Sequence, residues 1–344
     1  MTTDGNHQQG PEPSVSVVIP TLNSTNTLEW CLESVKKQRY VGEVEVIVAD
    51  GGSEDGTVEV ARCYGCTVVD NPRRTGEAGK ARGLKEASGQ VVALIDSDNI
   101  LPDPNWLSMM TSPFSDPLVV GTEPIEYEYR REDPLLTRYC ALMGMNDPLC
   151  YFLGNYDRTC VLSGKWTGLD VDWRDRGEYL EVRLERDRMP TIGANGFLVR
   201  RDLLEQLGIG DYLFDIDLLH DLVRTGHDRF AKVKTGIVHL YGRGLGTFAR
   251  KQLRRVRDFR YYQARGMRSY PWSRQEKAGL VRFVVYCLLV VPLIAQSLIG
   301  YRKRPDPAWA LHTPACLITL VVYTWGYIEG AIRPREQKRT RWGQ

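Results

Sequence analysis

The sequence predicts an α/β protein whose core is a doubly wound, mostly parallel sheet. Two observations lead to this fold class. Short apolar runs typical of buried strands alternate with segments of helical periodicity from Val15 to Ile95, and the last of these runs ends on two carboxylates, Asp96 and Asp98. Because strands that alternate with helices pair in parallel through right-handed crossovers, the carboxyl ends of the runs should meet at one edge of the sheet.

The predicted elements each have a local signal. Val15–Ile19 is a short apolar strand, and the polar stretch 23–27 offers several helix caps before a segment of helical period. After it we predict a strand at Val44–Ala49, a helix at Asp55–Tyr64, a strand at Thr67–Val69, a helix at Ala78–Ala87 and the fourth strand at Val91–Ile95. Regular structure resumes at Gly193, and a further helix is predicted over Asp215–Thr225.

Composition and charge narrow the class of protein. The 344 residues are 42% hydrophobic and 26% charged, which is ordinary for a folded chain. The net charge of +2 hides an asymmetry, because basic residues concentrate after Arg243, and positive charge there favours anionic lipid or phosphate as a partner. Nucleic acid is not expected, since no recognised nucleic-acid module accompanies the charge. The eight cysteines show no recognisable disulfide framework, and the amino terminus shows no signal-peptide pattern. Both observations favour a cytoplasmic α/β domain.

The chain divides by composition into five parts. Residues 1–13 are predicted to be a disordered tail, and residues 14–245 the α/β domain, in which 123–190 lose the strand-helix rhythm and are expected to form an insertion over the site. The pair Asp170 and Asp172 in this insertion is expected to lie in a solvated loop. Residues 246–275 form a basic amphipathic interfacial segment, 280–330 hold two hydrophobic segments, and 331–344 are a basic tail.

The two hydrophobic segments predict attachment to the cell membrane. Phe283–Tyr301 has 19 residues and Pro307–Ile328 has 22, all uncharged, and each run is about long enough to cross a hydrocarbon core. Three basic residues, Arg302 to Arg304, lie in the connection between the runs, where the positive-inside rule would keep them cytosolic. The sequence therefore allows either a membrane hairpin that crosses or one that dips in without crossing.

The carboxylates Asp96 and Asp98 are candidate metal ligands. Two acidic side chains placed together repel each other unless a cation lies between them, and hard oxygen ligands suit Mg²⁺ or Mn²⁺ that also bridges phosphate oxygens. The carboxyl edge of an open α/β sheet is also where ligands bind. This pattern favours a nucleoside diphosphate as the ligand, with a solvated turn as the alternative.

Four motifs in order resemble those of family 2 glycosyltransferases, which have the A-type, Rossmann-like fold. They begin at the opening strand and turn, at the acidic turn Asp50-Gly-Gly, at the helix that starts Gly79-Lys-Ala-Arg82, and at Ile95-Asp-Ser-Asp98. The resemblance covers residues 14–245. It implies nucleotide-binding roles for Pro20, Thr21, Leu22, Asp50, Lys80, Arg82 and Asp96.

The same resemblance implies roles for residues later in the chain. Asp98, Asp96 and His239 would hold the metal, and Asp215 would be the general base, although Phe214 stands where the family has Glu. Asp217 is expected to cap a helix. Asn195 would lie on the acceptor side. Arg254 and Arg255 lie beyond the resemblance, in the basic segment 246–275, whose positive charge suits the acceptor side or a lipid phosphate.

The resulting hypothesis is a metal-dependent, inverting hexosyltransferase at the membrane. It would move a sugar from a UDP- or GDP-linked donor to a lipid-linked or glycan acceptor. Two alternatives stand beside it. A nucleotidyltransferase would need a Gly-rich, basic loop after its first strand, and Pro20-Thr-Leu-Asn23 is not such a loop. A catalytically silent membrane scaffold is the second, and Phe214 is the feature that favours it.

Overall fold

The computed structural model describes residues 12–271 and 277–332. Within these ranges the strands are β1 (Val15–Thr21), β2 (Val44–Asp50), β3 (Thr67–Asp70), β4 (Val91–Leu94), β5 (Asn99–Ile100), β6 (Gly121–Tyr127), β7 (Asp172–Asp175), β8 (Tyr179–Arg183), β9 (Phe197–Arg200) and β10 (Arg229–His239). The helices are α1 (Thr25–Lys36), α2 (Thr57–Cys63), α3 (Gly76–Leu84), α4 (Trp106–Thr111), α5 (Leu135–Met143), α6 (Leu149–Leu153), α7 (Arg201–Leu207), α8 (Asp215–Arg224), α9 (Leu245–Ala264), α10 (Lys277–Leu289), α11 (Val291–Lys303) and α12 (His312–Ile332).

The strands form one sheet in the order β3-β2-β1-β4-β9-β6-β10-β8-β7, with β5 paired to β10. The first four strands are parallel, as the sequence predicts, and β1 is buried along its whole length between β2 and β4. Beyond β4 the sheet is mixed, because β9 runs antiparallel between β4 and β6 and β10 returns parallel to β6. The predicted α/β class is confirmed, with parallel pairing concentrated in the amino-terminal half.

Helices cover both faces of the sheet and bury its apolar side chains. One core contains residues from α1, α2 and α4, such as Leu28, Ala61 and Trp106. The other contains residues from α3, α7 and α8, such as Ala81 and Leu219. Continuous apolar strands such as Val91–Leu94 follow from this two-sided burial.

Two predicted helices start at different residues because of local capping. The helix predicted from Asp55 begins at Thr57, since the Asp55 carboxylate accepts a hydrogen bond from the Thr57 amide (3.1 Å) and Gly56 has φ 91°. The helix predicted from Ala78 begins at Gly76, because the Thr75 hydroxyl accepts from the Ala78 amide (3.1 Å). Its last residue is Leu84 rather than Ala87.

The segment 123–190, expected as an insertion, belongs partly to the sheet itself. Its first residues lie within β6, which pairs with β10 in the interior, and β8 and β7 extend the sheet beyond β10. The helices α5 and α6 and the loops around them lie between these strands in sequence. Asp170 and Asp172 are exposed there, and Asp172 begins the edge strand β7.

The carboxy-terminal helices differ from a simple hairpin of two straight segments. α10 and α11 are separate helices that meet at a bend of 96°. The stretch Pro307–Ile332, a short 3₁₀ turn followed by α12, is long and apolar enough to cross a membrane, and the bent pair passes the same test only if both helices are taken together. The predicted tails at 1–13 and 331–344 lie almost entirely outside the described residues, as do residues 272–276 of the interfacial segment.

Candidate active site

A cavity of about 670 Å³ lies at the carboxyl ends of the parallel strands. Its floor includes the ends of β1, β4, β6 and β10, and its walls include the start of α3, the start of α8, the face of α9 and part of α12. Such a crevice is the usual ligand site of an open α/β sheet. Of the residues predicted to form the site, the cavity is lined by Pro20, Lys80, Asp96, Asp98, Asn195, Asp215, His239, Arg254 and Arg255.

The turn after β4 presents the two predicted carboxylates to the cavity. The side chain of Asn99 accepts a hydrogen bond from the Asp96 amide (2.9 Å) and donates to the Asn195 side chain (3.1 Å). This connection fixes the turn against the loop that precedes β9. Asp96 and Asp98 consequently face the cavity, and each has a different basic neighbour.

Asp98 lies between two cationic or potentially cationic groups. Its carboxylate is 3.6 Å from His239 Nε2 at the end of β10 and 3.7 Å from Lys251 Nζ on α9. Burial disfavours the charge of Asp98, but His239 and Lys251 outweigh burial and hold its pKa below the usual range. Burial also lowers the pKa of Lys251, against the attraction of Asp98.

The Asp98–His239 pair fits a divalent cation that arrives with its ligand. Among the described residues, no three side chains of His, Cys, Asp or Glu converge as a complete metal cluster. A carboxylate oxygen and an imidazole nitrogen are nevertheless donors that suit Mn²⁺, and such ions commonly complete their coordination with water and substrate phosphate. Asp96, predicted as a further ligand, lies 3.8 Å from Lys80 instead.

Lys80 on α3 joins Asp96 to the candidate base Asp215. Its ammonium donates to Asp215 Oδ1 at 2.8 Å and is itself buried. Burial lowers the pKa of Lys80, but the two carboxylates outweigh this and raise it. Burial raises the pKa of Asp215 to about 6 against the opposing charge of Lys80, and the nearby carboxylates of Asp96 and Glu77 add to the rise. The pair therefore joins an ammonium whose charged form is stabilised to a carboxylate that binds a proton more readily than an ordinary aspartate.

The other residues predicted to bind the nucleotide, Thr21, Leu22, Asp50 and Arg82, do not line the cavity. Thr21 and Leu22 are buried behind Pro20. The carboxylate of Asp50 accepts from the Thr21 hydroxyl (2.8 Å), from the Ser53 hydroxyl and from two backbone amides, so its oxygens hold the turn after β2. Arg82 does not line the cavity. Residues two apart on a helix, such as Lys80 and Arg82, face nearly opposite sides, so Arg82 points away from the cavity. It pairs there with Glu86 at 2.6 Å.

A buried charge network behind the cavity holds the loop that carries Asn195. Glu123 on β6 and Lys232 on β10 are register partners and form an ion pair at 2.5 Å, and Arg158 pairs with Glu123 at the same distance. All three side chains are at most 1% exposed. Burial lowers the pKa of Lys232 to about 8 and raises the pKa of the adjoining Asp157 to about 6.

The network acts on the loop through its backbone. Glu123 accepts from the Gly193 amide (2.9 Å), and Arg158 donates to the carbonyls of Ala194 (3.0 Å) and Asn195 (3.2 Å). Gly193 has φ 118°, and a Cβ there would come within 3.0 Å of Asp215. The loop thus approaches the candidate base closely only because residue 193 is glycine.

One face of α9 forms the basic wall opposite the strands. Lys251, Arg254, Arg255 and Asp258 recur at helical spacing and all line the cavity. Gln252, which is fully buried, donates to the carbonyl of Asn146 at 2.5 Å and accepts from Tyr323 on α12 at 3.0 Å. The predicted basic helix is therefore an integral wall of the cavity, packed along α12.

Phe214, in the position of the family's Glu, belongs to an aromatic patch of the cavity. Its ring packs edge-on against Tyr262 at 4.9 Å, and the Arg268 guanidinium lies 4.7 Å from its centre. Asp217 is not a helix cap, and that prediction was wrong. Its carboxylate accepts from Arg268 Nε (2.6 Å) and from two amides of the turn after α9, because this turn packs onto α8.

Sequence reasoning did not single out Lys251 or the Glu123–Arg158–Lys232 network. Lys251 had a usable signal, since it shares a helical stripe with Arg254, Arg255 and Asp258 inside the basic segment. Lys232 also had one, because it interrupts an apolar strand run between Ala231 and Val233. The pairing of Lys80 with Asp215, 135 residues apart, had none.

Curated glycosyltransferases and related synthases are similar to part of the chain. The glycosyltransferase AglE of Haloferax volcanii is 31% identical over 143 residues, which are 39% of this chain and 46% of that protein. The glucosyl-3-phosphoglycerate synthase of Mycolicibacterium smegmatis is 34% identical over 108 residues, which are 29% of this chain and 36% of that protein. The chain thus spans less than half the length of these curated relatives.

Two solved structures align with more than two thirds of the chain. The mannosyltransferase PcManGT from Pyrobaculum calidifontis, in complex with GDP-Man and Mn²⁺, aligns with a TM-score of 0.49 and 17% identity over 92% of this chain and 90% of that chain. The glucosyl-3-phosphoglycerate synthase of Mycobacterium tuberculosis, in complex with Mn²⁺, UDP and glucosyl-3-phosphoglycerate, aligns with a TM-score of 0.41 and 26% identity over 68% and 74%.

The family itself follows from a match that covers more than half of the chain. The family model described as "Glycosyl transferase family 2" matches residues 16–208. This range includes nearly all of β1, the strands β2 to β4, the turn with Asp96 and Asp98, and the loop before β9. With that match and the motifs placed in order at one sheet edge, the chain belongs to glycosyl transferase family 2.

Proposed function

We propose that this protein transfers a hexose from a nucleoside diphosphate sugar to a lipid-linked or membrane-proximal acceptor, with inversion at the anomeric carbon. The observation that carries the proposal is the single cavity in which Asp98 with His239, the candidate base Asp215, and the basic wall of α9 face one another. Family membership supports sugar transfer as the reaction. A UDP- or GDP-linked donor fits a cavity of about 670 Å³.

The donor diphosphate is proposed to lie beside the turn after β4, near Pro20. Asp98 and His239 would hold a divalent cation there, Mn²⁺ or Mg²⁺. When bound, this cation supplies neutralisation of the charge that develops on the departing diphosphate. Lys80, buried between Asp96 and Asp215, would contribute a fixed positive charge beside the turn after β4.

The acceptor is proposed to approach from the side of α9. Asp215 accepts the proton of an acceptor hydroxyl as it attacks, and Lys80 fixes the orientation of the Asp215 carboxylate through a 2.8 Å hydrogen bond. A single direct displacement of this kind inverts the anomeric carbon. If the acceptor is a lipid phosphate, its oxygen is already anionic and Asp215 only orients it, while Arg254 and Arg255 bind the phosphate charge.

Membrane attachment and a cytoplasmic catalytic domain complete the proposal. Support comes from the apolar stretch Pro307–Ile332 and from Tyr323 and Tyr327 of α12, which line the same cavity as the catalytic groups. An acceptor with a lipid tail would therefore find apolar and aromatic surface next to the basic wall.

A thermal-shift panel of UDP- and GDP-sugars, each with and without Mn²⁺, tests the donor and the cation together. Specific stabilisation by one donor only in the presence of Mn²⁺ is expected, because a ligand that binds the folded state raises the unfolding temperature. Incubation of that donor with a membrane lipid extract should then give a glycosylated lipid. Donor binding without any transfer or hydrolysis would favour a catalytically silent scaffold.

A further inference from the structure

We propose that α10 and α11 dip into one leaflet of a lipid bilayer and return without crossing it, while α12 lies along the bilayer surface. This inference rests on the membrane attachment proposed above and specifies its geometry. It assigns to the carboxy-terminal helices a one-sided contact with lipid, in place of a hairpin that spans the bilayer.

The connection between α11 and α12 is bound to the catalytic domain, and it therefore lies on the same side of the bilayer as that domain. Lys303 Nζ donates to the carbonyl of Leu162 at 2.6 Å, and the Arg304 guanidinium lies 4.0 Å from the centre of the Tyr129 ring. Asp306, only 2% exposed, accepts from the Tyr129 hydroxyl and lies 3.6 Å from Arg138. A spanning hairpin would carry this connection about 30 Å away, across the hydrocarbon core.

The beginning of α10 contacts the same domain. Gly279 packs so closely on the backbone of Phe152 that a Cβ at residue 279 would come within 2.4 Å of the Phe152 carbonyl oxygen. Arg282 donates to that carbonyl at 2.9 Å. The start of α10 and the end of α11 are therefore both held by the catalytic domain, and the chain between them must leave and return on one side.

The dimensions of the bent pair match one leaflet. Each helix has 13 residues and is therefore about 20 Å long. With a bend of 96° between them, the tip lies roughly 15 Å from the line that joins the two ends, which is about half of a hydrocarbon core. The bend is built into the fold, since Val290 has φ 62°, a region that β-branched residues rarely adopt, and Pro292 follows.

Exposure and charge are arranged as this geometry requires. The most exposed apolar side chains of the pair are at the bend: Leu288 is 73% exposed, Val291 71% and Leu289 62%. No charged residue occurs between Arg282 and Arg302, and basic residues lie at both ends of the pair. Apolar side chains at the tip and basic side chains at the ends suit hydrocarbon and anionic headgroups, respectively.

α12 is held along its length by the catalytic domain. Near its start, His312 Nδ1 lies 3.0 Å from the Tyr139 hydroxyl of α5. Near its end, Glu329 accepts two hydrogen bonds from Arg257 of α9, at 2.8 and 2.6 Å. The outer face carries a stripe at spacings of four, three and four residues that is more than half exposed: Val321, Trp325, Ile328 and Ile332. This is the pattern of a helix in the plane of the interface.

Vesicle flotation tests the insertion at the bend. The full chain is mixed with vesicles of phosphatidylcholine and phosphatidylglycerol, and the wild type is expected to float. A Leu288→Glu/Val291→Glu variant should float at least about tenfold less, because it places two charges in hydrocarbon. Leu118→Glu, at an exposed position of the catalytic domain, is the matched control and should float like the wild type. Flotation of the double variant at the wild-type level would overturn the insertion.

Thiol labelling tests the side of the connection. Arg302→Cys introduces a thiol at an exposed position, and the native, exposed Cys63 marks the side of the catalytic domain in the same sample. A membrane-impermeant maleimide added to sealed vesicles from that side should modify positions 63 and 302 alike. Modification of position 302 only after permeabilisation would overturn the inference and leave membrane attachment intact. A wild type that does not float would instead refute the attachment itself.

Discussion

The two walls of the cavity are built from different kinds of sequence. The wall proposed for the donor consists of residues at the carboxyl ends of parallel strands, such as Pro20 near the end of β1 and Asp96 and Asp98 after β4. The wall proposed for the acceptor joins α9, α12 and the loop around Asn146, and its contacts are long-range: Gln252 contacts Asn146 across 106 residues of sequence and Tyr323 contacts Asp147 across 176. Motifs can therefore identify the residues of the first wall, whereas the second wall depends on contacts between segments that are far apart in sequence.

The largest expected effect lies on the donor-side wall. Asp98→Ala should lower transfer by about 10⁴-fold, because loss of the carboxylate removes several kcal/mol of leaving-group stabilisation. The measurement is kcat/KM with the donor identified by thermal shift. Asp172→Ala changes the second carboxylate of the exposed pair Asp170 and Asp172, at the start of β7, and should leave transfer unchanged. Equal activity of the Asp98 and Asp172 variants would contradict the assignment of this wall to the diphosphate.

The boundary between the walls is tested by Asp215→Asn, which keeps the size of the side chain. We expect a loss of about 10³-fold in kcat for an acceptor hydroxyl, the usual contribution of a general base. The loss should be much smaller for an acceptor that is already a phosphate anion. An equal loss with both acceptors would mean that Asp215 acts in some other way than by taking a proton.

The pH profile sharpens the same point. Asp215 must be ionised to act as a base, and its pKa is raised from 3.8 to about 6, chiefly by burial. Wild-type kcat/KM should therefore fall as pH drops through about 6, whereas an unperturbed carboxylate would sustain activity to about pH 4. This acid limb should be missing from the residual activity of Asp215→Asn.

The support behind the cavity can be tested without any substrate. Lys232→Met leaves Glu123 with one fewer buried counter-charge and should lower the free energy of unfolding by about 3 kcal/mol or more, because removal of one member of a buried ion pair is strongly destabilising. Lys234→Met, two residues along β10, removes a partly exposed ion pair with Asp175 and should cost at most about 1 kcal/mol. Urea denaturation measures both. Similar values for the two variants would contradict the assignment of Lys232 to a buried, stabilising ion pair.

The smallest expected effect lies on the acceptor-side wall. Arg254→Gln should raise KM for a lipid phosphate acceptor roughly tenfold, the value of one charge-assisted hydrogen bond, with KM for the donor unchanged. Arg250→Gln, on the same helix but outside the cavity lining, should change neither constant. A rise in donor KM instead would place the diphosphate on α9 and reverse the assignment of the two walls.

The fold was predictable where local pattern and tertiary structure agree. The strands from Val15 to Ile95 and their parallel pairing follow from short apolar runs that alternate with helical segments, and the central strands β1 and β4 are buried along their whole length. The mixed pairing beyond β4 was not, because β6 lies in a region rich in charged residues, and its Glu123 is buried only with partners from Lys232 and Arg158. From sequence alone a charged residue is predicted to be exposed, because the partner that would allow its burial is known only from the fold.

The sequence alone identified the residues that we propose for the donor side: a buried strand that ends on Asp96 and Asp98, a His at the end of a later strand, and a family whose motifs occur in order. It also determined that the carboxy-terminal region is apolar and flanked by basic residues. Only the tertiary structure decided that Lys80 joins Asp215, that Lys251 approaches Asp98, that Arg82 turns away, and that the connection at Lys303 to Asp306 returns to the catalytic domain. The reason is physical: adjacency along a strand places side chains at one edge, but ion pairs between distant segments form only through packing that no single segment encodes.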